Sequence, residues 1–287
     1  MTTLKTAAGR GAAVGAILGL TWAGALVVRE AAAAIYAVPA LQLMEQWQED
    51  RVAAQAVAMA EAARASMAAG HSAEDGAELS VSPEEVPFSP DPRDWDTARA
   101  ALEKALALAP GNPELHANRG RLYQFRFEDR SLPLDDIRRG AEQALASFEQ
   151  AASLRPTWPY HWWDIARTEY VLQRTYQPEF YRALDNVTRF GPWLEDVQLF
   201  AADLALEHWG DLQAESRTLA LANIDRALGR NPEIASSMVA SYQAWDPVCE
   251  ASRQASGDYL QIAQYCVLAT QRTFTPDGSD DLNTVGR

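Results

Sequence analysis

The sequence predicts an all-α chain with one N-terminal transmembrane helix followed by stacked helical hairpins. Three observations carry this expectation. Four segments end in proline, with small or apolar residues at fixed offsets before it: Ala98–Leu102–Ala105–Pro110, Ala144–Phe148–Ala151–Pro156, Phe180–Leu184–Val187–Pro192 and Ala220–Ile224–Ala227–Pro232. These offsets of four, three and five match the A-x-x-x-F…A…P half of a tetratricopeptide repeat. Alanine and leucine dominate, and runs rich in Val, Ile and Thr are missing, so helix is favoured over sheet. Finally, Gly11–Val28 carries no charge.

That uncharged run is the first element. Its eighteen residues span about 27 Å as a helix, near the lower limit for crossing a bilayer. Lys5 and Arg10 precede it, while Arg29 is offset by Glu30, so residues 1–10 are expected in the cytoplasm. The expectation is a single-pass anchor in a bacterial inner membrane, with everything after residue 30 in the periplasm. A cleaved signal peptide is the competing reading, because Ala31–Ala34 supplies small residues, although its apolar run is ordinarily about 7–15 residues. Gly11, Gly15, Gly19 and Ala23 form a small-residue row of the kind that lets membrane helices approach. Glycine and alanine are also common in such segments.

Residues 29–69 read as a membrane-proximal helix, either a stalk or a partner-docking element. Pro39 predicts a kink or break near residues 36–39. Residues 70–93 contain Pro83, Pro87, Pro90 and Pro92 among acidic residues and few bulky apolar ones, the composition of a flexible linker.

Residues 94–271 form the expected repeat domain. Pro110, Pro156, Pro192 and Pro232 stand 46, 36 and 40 residues apart, against about 34 for the standard repeat. Phe125–Pro133 reads as the largest insertion. Gly111–Asn112–Pro113 marks a helix stop and restart. Gly120, Ala166 and Ala202 take the small position of each first helix, with Tyr123 as a packing plug. Helices over Glu233–Ala244 and Asp258–Thr270 would cap the stack, and residues 272–287 form a polar tail. Cys249 and Cys266 lie 17 residues apart around Gly257. In an oxidising compartment a bridge between the last two helices would contribute about 3 kcal/mol; two buried free thiols are the alternative.

Chemistry is sparse. A net charge of −14 argues against nucleic-acid binding and against a polybasic membrane-surface domain. His71, His116, His161 and His208 are scattered without metal-ligand spacing, so no metal or other cofactor is expected. Nucleophile-elbow, P-loop and dinucleotide motifs do not occur. Asp164 and Glu169 are the only local carboxylate pair, and five residues along a helix they point to different faces, so no enzyme is expected. The candidate partner- or glycan-binding residues are instead the concave positions of the first helices: Asn118 and Arg121 with Gln124, then Tyr160, Trp163, Asp164, Arg167 and Tyr170. Aromatic faces beside polar groups suit a peptide or a sugar chain. Trp158 and Trp162 read as interhelix packing.

The phrase Arg155-Pro-Thr-Trp-Pro-Tyr160 with His161-Trp-Trp-Asp-Ile-Ala166, followed by Gly191-Pro-Trp193, resembles the VpsP family of polysaccharide biosynthesis proteins. The likeness covers roughly residues 94–232, extends to the Leu204–Trp209 segment, and matches the rest in layout only. It implies an inner-membrane-anchored protein acting among exopolysaccharide synthesis and export components, and it transfers no catalytic residue. Together these readings predict a periplasmic scaffold that binds envelope proteins of such a system. A direct saccharide-binding module and an envelope adaptor unconnected with polysaccharide are the alternatives.

Overall fold

The computed structural model describes residues 2–68, 88–129 and 131–272, with side chains over 24–61, 63–64, 88–129 and 131–267. Among these residues every regular element is helical: α1 (Thr2–Ala68), α2 (Pro92–Leu108), α3 (Pro113–Phe127), α4 (Leu134–Leu154), α5 (Pro159–Val171), α6 (Pro178–Phe190), α7 (Glu195–Glu207), α8 (Ala214–Arg230), α9 (Pro232–Ser241), α10 (Trp245–Gln254) and α11 (Leu260–Arg272).

The four prolines explain where helices stop. The residue before proline is pushed out of the helical region. Ala109, Arg155 and Asn231 accordingly adopt φ/ψ near −130/67°, −138/73° and −135/72°. With Gly191, each donates its N–H to the carbonyl four residues back, at Ala105, Ala151, Ala227 and Val187 respectively. Those acceptors are the last small or apolar position of the recurring pattern, and all twelve pattern residues are buried. The next helix restarts quickly. Asn112 caps α3 through Oδ1, which accepts from the N–H groups of Glu114 (3.0 Å) and Leu115 (3.3 Å), and Pro113 fills the first helical position.

A second recurrence binds each turn to the helix after it. Six residues beyond the proline, a side-chain nitrogen meets the proline carbonyl. His116 Nε2 lies 2.8 Å from the Pro110 oxygen, Trp162 Nε1 donates to Pro156 O at 2.6 Å, and Gln198 Nε2 donates to Pro192 O. Three chemically different side chains thus satisfy the same carbonyl left open at a helix end.

The described residues divide into two compact units, Met1–Arg155 and Pro156–Arg287. In the first, α3 and α4 form an antiparallel hairpin, closed where Gly120 meets the Phe148 ring. The long spacing from Pro110 to Pro156 is absorbed by longer helices, 15 and 21 residues, and not by an insertion at Phe125–Pro133. Phe125 and Phe127 are helical and buried.

The partner of α2 is α1. Ala33, Ala37, Ala40, Met44 and Trp47 are buried against Ala98, Leu102, Ala105, Leu106, Leu122 and Phe125. Their spacing of four, three, four and three residues is one face of a helix. Trp47 sets its edge on Phe125 at 5.3 Å, Lys104 Nζ sits 3.8 Å from the Tyr36 ring centre, and Arg51 pairs with Glu128. Much of the 29–69 segment, expected outside the repeat domain, is therefore the first helix of the first hairpin. It also runs through Pro39 without the expected break. Residues 69–87, most of the expected linker, lie outside the described residues. At its end, Phe88 packs on the core and Ser89 Oγ donates to Asp129 at 2.6 Å.

In the second unit α5–α6 and α7–α8 are hairpins; α5, α7 and α9 lie side by side in one layer and α6 and α8 in the other. Ala166 and Ala202 are buried at the expected small positions. Two helices, α10 and α11, close the unit against α8. The sequence reading missed α10 as a separate element. Asp225 Oδ1 on α8 accepts the N–H groups of Gln261 (2.8 Å) and Ile262 (3.0 Å), capping α11 from a neighbouring helix. Cys249 and Cys266 stand at disulfide distance, Cα to Cα 5.8 Å, joining α10 to α11. The expected tail beyond residue 272 lies outside the described residues.

Near the N-terminus, the Gly24–Glu61 stretch of α1 is long and apolar enough to cross a membrane, the one such stretch among the residues described, whereas most of the expected 11–28 segment lies where side chains are not described. The row Gly11, Gly15, Gly19 and Ala23 falls where side chains are not described.

Candidate partner-binding face

Residues of α5 and α7, with Tyr242 just beyond α9, share the exposed side of the α5–α7–α9 layer. Tyr160 Oη donates to Asp196 Oδ2 at 3.1 Å, and Tyr170 Oη donates to Glu207 Oε1 at 3.0 Å. From the far end of α9, Tyr242 Oη donates to Asp203 Oδ1 at 3.0 Å. Between them Trp163 stacks flat on Phe200, ring centres 4.2 Å apart. Trp158 and Tyr160 continue the aromatic row at 5.6 Å. The result is a ladder in which each rung joins an aromatic of one helix to a residue of the next.

The ladder is acidic. Burial, then the Asp196 bond, raises the Tyr160 hydroxyl above its ordinary range; for Tyr170 the Glu207 bond leads and burial follows. Burial, followed by the bond to Asp203, raises Tyr242 further. All three hydroxyls therefore stay protonated donors at neutral pH. Asp203 is pushed up by burial, against the lowering effect of its Tyr242 bond.

The structure brings five of the predicted residues together on α5: Tyr160, Trp163, Asp164, Arg167 and Tyr170. Of these, Arg167 and Asp164 already have partners within the chain. Asn118 and Arg121 lie on α3 in the other unit. Asn118 is buried, and Arg121 Nη1 donates to its Oδ1 at 2.9 Å and pairs with Glu114 at 3.1 Å. Arg121 therefore has partners within the chain and stands on a different unit from the α5 residues. Trp162, read as packing, is held by its bond to Pro156 O.

Sequence reasoning missed the α7 half of the face: Asp196, Phe200, Asp203 and Glu207. A signal existed, since each lies 36 or 37 residues beyond its α5 counterpart or 39 before Tyr242. A cavity of about 700 Å³ beside Cys249 and Cys266 was also missed; Trp245 stacks on Tyr265 there at 5.3 Å. His116 and His161 are buried and His208 packs on Phe180 and Tyr170; no metal-binding cluster occurs among the described residues.

No family model matches the chain, and no curated protein matches it.

Proposed function

We propose that this chain is an inner-membrane-anchored scaffold whose tetratricopeptide-like hairpins bind an envelope protein, acting in exopolysaccharide biosynthesis or export. The observation that carries the binding role is the acidic aromatic ladder on α5, α7 and α9. Flat rings and fixed carboxylates on one exposed layer suit a peptide segment bearing Lys or Arg, which gains ring contact and charge pairing together. The polysaccharide setting rests on the VpsP-like phrases at Arg155–Tyr160 and Gly191–Trp193.

The anchoring role rests on the N-terminal part of α1. From Ala33 onward one side of α1 is packed on α2 and α3, beside Lys104 and Glu128, so that stretch does not face lipid. The crossing segment in this reading is 11–28, with residues 1–10 cytoplasmic and the hairpins periplasmic, where the Cys249–Cys266 pair would be oxidised.

The stacked Trp163–Phe200 pair also favours direct saccharide binding at this face, the second reading. Carboxylates at Asp196, Asp203 and Glu207 confine it to neutral or cationic polymers, because an anionic one would be repelled.

A photo-crosslinker at Tyr170, in the membrane-bound chain, tests the proposal. The expected result is one cross-linked envelope protein, lost when Asp196 and Glu207 are both changed to Lys. No cross-linked envelope protein, together with unchanged polysaccharide on deletion, overturns it. Crosslinking to polysaccharide in place of protein selects the second reading.

A further inference from the structure

The first unit holds a polar cleft of about 290 Å³ between α2, α3 and α4, lined by Trp95, Arg99, Tyr123, Arg126, Arg139 and Gln143. Asp136 is its single carboxylate, set against three guanidinium groups in a chain of net charge −14. The three arginines differ. Arg139 pairs with Asp136, and Arg99 is held by Glu103 at 2.8 Å and Asp96 at 3.4 Å. Arg126 has no carboxylate partner among the described residues; its guanidinium carbon lies 5.0 Å from the centre of the Trp95 ring. A side chain on Gly140 would press on the Arg126 stem, with Cβ 3.3 Å from Cγ, so α4 closes against that stem and limits its movement. Beside it, Trp95 Nε1 is buried without an acceptor.

We propose that this cleft binds a carboxylate-bearing sugar unit, a uronate. The Arg126 guanidinium presents paired N–H donors suited to the two oxygens of one carboxylate. The volume lies near the lower end for small-molecule sites and exceeds what an inorganic anion fills. Trp95 and Tyr123, ring centres 5.7 Å apart and inclined at 61°, make an aromatic corner with the Arg99 and Arg126 guanidinium groups over the Trp95 ring, and the Gln143 amide supplies hydrogen-bonding groups for hydroxyls. An acidic side chain from a protein would occupy only the carboxylate corner and leave the polar remainder of the cleft unmatched. The site lies in a different unit from the partner-binding face and does not depend on that reading.

The test uses the full chain in detergent micelles with ¹⁵N-labelled tryptophan, the Trp95 indole resonance being identified by its loss in Trp95→Phe. D-glucuronate is expected to shift that resonance saturably, and D-glucose is not. Arg126→Gln should weaken glucuronate binding at least tenfold at unchanged helix content. Arg126→Lys, which keeps the charge and loses the fork, should fall between and remains informative if the Gln variant misfolds. Absence of a saturable shift, equal response to glucose, or wild-type affinity in both Arg126 variants overturns the proposal. Inorganic phosphate binding as tightly as glucuronate reduces the cleft to a simple anion site and refutes the sugar assignment. Tetraglutamate binding more tightly than glucuronate refutes it in favour of a protein carboxylate.

Discussion

Gly120→Ala should destabilise the fold, although alanine is the better helix former. The substitution sits inside α3, where exchanging glycine for alanine ordinarily gains about 1 kcal/mol. Here the added Cβ would stand 2.6 Å from Phe148 Cδ1 and 2.7 Å from Cζ, with Cε1 nearer still. Ordinary carbon contacts are about 3.5–4.0 Å, so the ring or the helix pair must yield by about 1 Å. Phe148 is 1 % exposed and held on all sides, which leaves it little room. Overpacking costs about 1–3 kcal/mol, and overlap with three ring carbons at once places this case near the upper end. Subtracting the propensity gain leaves a net loss of about 2 kcal/mol. The assay is urea denaturation of the full chain in detergent, followed by helical circular dichroism, as a double-mutant cycle with Phe148→Leu. In the Phe148→Leu background the same change should instead stabilise by about 1 kcal/mol, the propensity gain, because the clashing ring atoms are gone. If Gly120→Ala stabilises both backgrounds by about 1 kcal/mol, propensity alone governs the site and the close-approach argument is wrong.

Trp47→Ala should cost about 3–5 kcal/mol in the same denaturation assay, a loss no free stalk would show. Reduction of the Cys249–Cys266 bridge should remove about 3 kcal/mol by loop entropy and raise amide exchange in α10 and α11 first; unchanged exchange there would exclude a closed bridge. Asp203 has its folded pKa raised above the ordinary value of 3.8, mainly by burial, so the folded state binds the extra proton as pH falls towards 3.8. Stability therefore decreases as pH rises through the folded pKa, and Asp203→Asn should flatten the slope just above pH 3.8; an unaltered slope would contradict this. Peptide mapping of the membrane-purified protein should recover sequence N-terminal to Ala31, and its absence would establish cleavage.

The recurring A-x-x-x-F…A…P positions were legible because each combines two independent constraints. The small residues must be buried, and the proline must stop the helix, so both leave a periodic trace. The first helix of the first hairpin left a trace too, in Ala33, Ala37, Ala40, Met44 and Trp47. Alanines at positions 31, 32 and 34 hide it by making every face of the helix look alike. The bonds from His116, Trp162 and Gln198 to the proline carbonyls were invisible for a different reason. A carbonyl needs only a suitably placed N–H, so the position recurs while the residue type does not. The α7 carboxylates resembled a solvated helix face until Tyr160, Tyr170 and Tyr242 were seen to reach them. The Arg126 cleft required three helices to converge, and no sequence window spans them.

Arg29 and Glu30 show how the N-terminal part of α1 is tied to the first unit. They first read as a charge interruption at the end of an apolar run. Arg29 Nε donates to the Leu108 carbonyl at 3.1 Å, at the C-terminus of α2, where the helix dipole favours a cation. Glu30 Oε2 accepts from Asn112 Nδ2 at 3.0 Å, and the Oδ1 of that same Asn112 caps the start of α3, where an anion is favoured. Adjacent charges of opposite sign thus match adjacent helix ends of opposite polarity. Three residues later Ala33 enters the core, fully buried. A cut within Ala31–Ala34 would release both charges and begin the packed helix at or beside its first buried residue. An uncleaved helix keeps both contacts and continues unbroken into the 11–28 run, so the register of Arg29 and Glu30 on α2 and α3 fixes the direction in which that run leaves the unit. This is the physical reason the proposal above keeps the N-terminal helix attached.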